Sequence, residues 1–164
     1  MHARCLRTFA LVVALFAPSV AAEMLVGRVV AVSDGDTLTV LDAANRQYRV
    51  RLAGIDAPER NQAYGEDSKQ NLARLAFGQP ATVEWDKTDH YGRVLGKVVI
   101  GAIDANLAQV RAGYAWHYKK YQDEQSAGDR RRYAVSAAEA RVERLGLWRD
   151  PSPTPPWDWR AQPR

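Results

Sequence analysis

The chain has 164 residues, a formal net charge of +4 and a pI near 9.4, and it contains one cysteine. That length suits a single domain. The lone thiol, Cys5, falls in a leader segment, so the remaining chain has no disulfide, no thiol nucleophile and no cysteine–metal site.

Residues 1–22, MHARCLRTFALVVALFAPSVAA, begin with Arg4 and Arg7, continue through an apolar run at 9–16 and end in Val20, Ala21 and Ala22. This is the pattern of a secretory signal peptide cleaved after Ala22. The run is shorter than the ~20 residues that span a bilayer. The expected mature protein is therefore periplasmic or secreted, with no membrane association after cleavage. Loss of Arg4 and Arg7 lowers the net charge to +2. That mild bias is compatible with an anionic partner without arguing for one.

The elements that follow alternate in a simple order. Val-rich 25–32 predicts a strand, DGDT at 34–37 a turn, and 37–41 a second strand, together a hairpin. In 47–54 the alternation is clean, with Tyr48, Val50 and Leu52 on one face and Arg49 and Arg51 on the other. Residues 65–80 carry early acids, then Leu72, Leu75 and Ala76, then Gly78 and Pro80, which predicts a helix with a stop. Strands are predicted at 81–85 and 94–100, and helices at 104–113 and 126–146. From Asp150 the chain is rich in proline and tryptophan, and those prolines predict an extended tail pinned by Trp157 and Trp159. Five short strands with a helix after the third predict an α+β, mainly β, Greek-key barrel of the five-stranded OB type with three helices.

Charged residues gather at strand ends. Asp34 and Asp36 flank Gly35 in the first turn, and Asp56 and Glu59 follow the third strand. DGDT alone is an ordinary hairpin turn. If the turns share one rim, Asp36 and Asp56 converge, and two carboxylates need a cation between them. An all-oxygen donor set favours Ca²⁺ or Mg²⁺ over zinc. Arg51 and Arg93 read either as partners in surface ion pairs worth ~0–1 kcal/mol, or as a phosphate clamp whose planar forks match phosphate oxygens. Metal, clamp and a spare carboxylate together are what phosphodiester hydrolysis requires. Strict alternation puts Asp56 on the core face, opposite Arg51, unless a bend at Gly54 resets it.

SDGDTLTV, RVRLAGIDAPE and YGRVLG, in this order, resemble the motifs of the staphylococcal nuclease (thermonuclease) family over about residues 26 to 148. The resemblance implies a domain over 23–149, followed by the 150–164 tail. It also implies a secreted, Ca²⁺-dependent enzyme that cuts DNA and RNA and leaves a 3′-phosphate end. Asp36 and Asp56 would ligate calcium, with the backbone carbonyl of Ala57. Glu59 would be the general base on water, and Arg51 and Arg93 would hold the phosphate. Some members carry threonine where this chain has Ala57, so any hydroxyl contribution there is lost. Only about three protein oxygens are offered against the roughly 6–8 that Ca²⁺ takes, which predicts weak binding tightened by substrate.

In 113–122, aromatic residues interleave with lysines. Tyr118, Lys119, Lys120 and Tyr121 are expected to contact a nucleic-acid strand, with Tyr91 beside Arg93 as a further neighbour. Tyr114, Trp116, Trp85 and Trp148 read as packing residues, His90 and His117 as solvated or structural, and Arg130–Arg132 as a solvated face. A monomer is expected. The competing class is a non-catalytic OB module that binds nucleic acid or oligosaccharide, and Glu59 beside Asp56 argues against it.

Overall fold

In the computed structural model, which describes residues 23–163, the predicted alternation resolves into strands β1 (Glu23–Asp34), β2 (Thr37–Asp42), β3 (Gln47–Leu52), the two-residue β4 (Ile55–Asp56), β5 (Pro80–Thr88), β6 (Val94–Ile100), and the short β7 (Ile103–Asp104) and β8 (Trp116–His117). The helices are α1 (Gly65–Ala76), α2 (Ala105–Arg111), α3 (Ala127–Val142) and α4 (Pro156–Ala161), with 3₁₀ turns at Lys119–Glu124 and Gly146–Arg149. The leader segment lies outside the described residues. Among the described residues no helix is long and apolar enough to cross a membrane.

The sheet runs β3-β2-β1-β5-β6, and a parallel pairing of β3 with β6 closes it into a five-stranded barrel. Long β1 makes closure possible, because its first half pairs β5 and its second half pairs β2. Alternation does what it should. Val94, Gly96, Val98 and Ile100 of β6 point inward, and Val50 and Leu52 of β3 meet them. Closure leaves no bare edge on these short strands.

Helix α1 buries Gly65, Ser68, Leu72 and Ala76 on one stripe. Its first turn carries Glu66 and Asp67 and its last turn Arg74, each placed to favour the helix dipole. Helix α2 is capped by Asp104, whose side chain accepts from Leu107 N. Ser126 caps α3, and the buried Tyr133 of α3 donates to Asp104 at 3.0 Å, tying α3 to the start of α2.

The tail differs from expectation in part. Residues 150–155 are non-helical as expected, but Pro156–Ala161 fold into helix α4, because Pro156 stands at the first helical position, where no N–H is needed and φ is already helical. Of the two expected anchors, Trp157 stacks on Tyr118 at 5.2 Å and meets Trp116 edge-on at 5.5 Å, and Trp159 borders a small pocket with Tyr64, Trp116 and Leu147.

Candidate active site

Two turns and two buried amides bring the acids together. The β1–β2 turn presses against α1 so closely that a Cβ on Gly35 would overlap Ser68 Oγ, so only glycine fits. Gln109 of α2, fully buried, donates from Nε2 to Gly35 O at 2.6 Å and to Ser68 O at 3.0 Å, locking that turn. At the end of β3 the chain bends through Gly54, at φ +74°. The bend is held by buried Asn106, which donates to Ala53 O and Gly96 O and accepts from Val98 N. Past the bend, β4 pairs with β8, Asp56 opposite Trp116. The bend thus frees Asp56 from the alternation of β3 and turns it back toward Arg51.

Arg51 is the hub. Its Nη1 lies 2.8 Å from Asp36 Oδ2 and its Nη2 2.8 Å from Asp56 Oδ1. Nη1 also donates to Ile55 O at 3.1 Å and Leu52 O at 3.3 Å. Asp36 takes a further bond from Ala57 N at 2.7 Å and one from Thr37 Oγ1 at 3.2 Å. The Asp56 side chain is only 1% exposed. Glu59 is half-buried beside it, and its backbone N donates to Gln62 Oε1 at 3.0 Å. One guanidinium therefore spans both predicted metal carboxylates.

Asp36, Arg51, Asp56 and Glu59 line one cleft of about 640 Å³, together with Arg93, Tyr91, Tyr118 and Tyr121. Arg93 reaches it from the β5–β6 turn, where its Nε and Nη2 both lie 2.8 Å from Asp89 Oδ2 and its guanidinium covers the exposed Tyr91 ring. Burial works against the Asp89 charge, but bonds from the Arg93 backbone and side chain outweigh it and hold that carboxyl below its usual range. Lys119 and Lys120 are not in this cleft. They line a neighbouring groove with Trp116 and Trp148. Tyr118 stands at the boundary and borders both, while Tyr121 borders the cleft from a kink in the 3₁₀ turn. His117 is buried, its pKa lowered chiefly by that burial, and it bonds Gln125 at 2.9 Å, a structural role.

One cleft residue gave no local signal in the sequence. Arg160 of α4 reaches back more than one hundred residues to Asp56 and Glu59, with 2.7 Å contacts to each.

Burial pushes the Asp36 carboxyl up to about 7; Arg51 opposes the rise, Asp34 and Asp56 add to it, and the Ala57 N–H opposes it. The native state thus binds more protons than the unfolded chain between pH 3.8 and about 7. The stability from this group is full at the acid end and lost as pH rises through that window. In chelator, the urea midpoint of wild type relative to Asp36→Asn should fall across this window; a flat difference would mean Asp36 is ionised throughout.

The donor chemistry fits a hard cation. Asp36 and Asp56 offer oxygen donors only, side by side in the cleft. Among the described residues no group of three or more His, Cys, Asp or Glu side chains is placed to hold a metal ion by itself. Water and substrate would complete any coordination.

The family model described as "Staphylococcal nuclease homologue" matches residues 49–150. An uncharacterized endonuclease of Escherichia coli is 40% identical over 151 residues, covering 92% of this chain and 94% of its own length. A micrococcal nuclease of Shigella flexneri is 43% identical over 144 residues, covering 82% of this chain and 79% of its own. An uncharacterized endonuclease of Haemophilus influenzae is 39% identical over 135 residues, covering 82% and 72% respectively. The family-model span contains Arg51, Asp56, Glu59 and Arg93 and stops before α4.

Proposed function

The chain belongs to the staphylococcal nuclease family, and from that premise we propose that it is a nuclease that hydrolyses phosphodiester bonds of DNA or RNA in a calcium-dependent reaction with low sequence preference. The observation that carries this is the single guanidinium of Arg51 joining Asp36 and Asp56 in a cleft that also holds Glu59 and Arg93. A module that merely binds nucleic acid or oligosaccharide has no use for buried acids at the place where a phosphate must sit, since they would repel it.

Asp36, Asp56 and the Ala57 carbonyl would hold Ca²⁺, in preference to Mg²⁺, and the bound ion supplies neutralisation of phosphate charge and Lewis acidity. Arg51 and Arg93 orient the phosphate and stabilise the charge that grows on its oxygens in the transition state. Glu59 accepts the proton of the attacking water as the new O–P bond forms. The bond to the 5′ oxygen breaks, that oxygen takes a proton from solvent water to become a 5′-hydroxyl, and the other product is a 3′-phosphate. Tyr118 and Tyr121, edge-to-face at 5.5 Å, offer ring surface to bases next to the scissile bond. Export fits the basic-then-apolar leader at 1–22, and the enzyme is proposed to act as a monomer.

The test is incubation of the purified chain with plasmid DNA and with RNA, in calcium and then in chelator. Cleavage in calcium that chelator abolishes is expected; binding without cleavage would leave only the module. Arg93→Lys should slow cleavage roughly ten- to hundred-fold, the equivalent of one lost charged hydrogen bond of about 1.5–3 kcal/mol, because the ammonium cannot hold Asp89 and phosphate with one planar fork. Near-normal kcat/KM would reduce Arg93 to charge screening.

A further inference from the structure

Arg160 has no part in the mechanism above, yet it occupies the centre of the site. Its Nη2 lies 2.7 Å from Asp56 Oδ2 and its Nη1 3.3 Å from Asp56 Oδ1 and 2.7 Å from Glu59 Oε1. With Arg51 already on Oδ1, both oxygens of Asp56 are taken up by guanidinium hydrogens.

The contact is built, not a loose surface pair. Trp157, one turn earlier on α4, is stacked on Tyr118. Gln62 links the tail to the acid loop: its Nε2 donates to Thr154 O at 2.6 Å while its Oε1 accepts from Glu59 N. The Arg160 side chain is nevertheless 41% exposed, so its guanidinium can turn into water while Trp157 stays seated.

We propose that Arg160 is a built-in competitor of the divalent cation: it covers Asp56 and Glu59 when no cation is bound, and calcium binding requires it to swing out. This rests on the cation site proposed above. Three carboxylates, Asp36, Asp56 and Glu59, face two guanidinium groups, Arg51 and Arg160. With all three carboxylates ionised, the cluster carries one surplus negative charge. Adding a divalent ion with Arg160 in place would leave a surplus positive charge in a largely buried pocket, which is costly. Exchange of Arg160 for the ion leaves the cluster neutral. A phosphodiester arriving with the ion gives the freed guanidinium an anionic partner, so cation and substrate assist each other's binding. The C-terminal helix thus weakens calcium binding until nucleic acid is present.

The experiment is calorimetric titration of calcium into the full wild-type chain and into Arg160→Ala, Arg160→Lys and Asp56→Ala, each without nucleic acid. Arg160→Ala should bind calcium roughly 5–150-fold more tightly than wild type, the usual range of coupling between two ligands. Arg160→Lys should fall between them, since a point charge cannot cover both oxygens. In thermal melts, calcium should raise the midpoint of Arg160→Ala more than that of wild type. Equal or weaker calcium affinity in Arg160→Ala would overturn the competitor and leave the cation site standing. No binding in any of the proteins, with Arg160→Ala indistinguishable from Asp56→Ala, would remove the cation site itself and the competitor with it.

Discussion

Replacing Glu59 with glutamine should slow cleavage by roughly 10²–10⁴-fold, the contribution of a general base, with little change in fold. Glutamine still offers an oxygen to Arg160 Nη1, and the bond from Glu59 to Gln62 is made by the backbone, which the change leaves intact. The thermal midpoint and the affinity for uncleaved oligonucleotide should stay near wild type, and the loss should appear in kcat. If kcat were unchanged, the proton of the attacking water would have to leave by another route, and Glu59 would be only a partner for Arg160.

The second large effect is expected at Arg51. Arg51→Met should abolish detectable cleavage and destabilise the metal-free protein by about 3–5 kcal/mol, the cost of removing one member of a buried ion pair. Asp36 would lose its only ion-pair partner among the described residues, whereas Asp56 keeps Arg160. The destabilisation should therefore shrink at acid pH, where Asp36 takes up a proton, and calcium should restore part of it at neutral pH. A loss below 1 kcal/mol in urea melts would class these contacts with surface pairs.

Much of the barrel is legible in the chain because local rules agree there. Val94, Val98 and Ile100 alternate, Gly78 follows α1, and Gly113 follows α2, so period and punctuation point the same way. The convergence of Asp36 and Asp56 was legible only as a consequence of closure: turns of a small barrel share a rim. The bend at Gly54 could be suspected from the misplaced alternation of Asp56. What fixes it could not, since Asn106 and Gln109 are polar residues that read as surface until the loops they tie are known. The place of the lysine pair is not legible for a related reason. Lys119 and Lys120 follow Tyr118 directly, yet only Tyr118 borders both the cleft and the neighbouring groove, and adjacency in sequence does not say which a side chain enters. Proline bars a helix interior, but at Pro156 it starts one, and the composition of the tail does not tell the two apart. Arg160 lies outside any local pattern, because its partners are 104 and 101 residues away and only tertiary docking of Trp157 delivers it.

Calcium titration of Glu59→Gln with and without a single-stranded oligonucleotide, which this variant should bind but barely cut, tests most directly whether cation and phosphate share the cleft of Arg51. Calcium should bind more tightly with the oligonucleotide present, the oligonucleotide should gain by the same factor from calcium, and Asp56→Ala added to this background should abolish both gains. Independent binding of calcium and oligonucleotide, or coupling that survives Asp56→Ala, would contradict a common site at the mouth of the barrel.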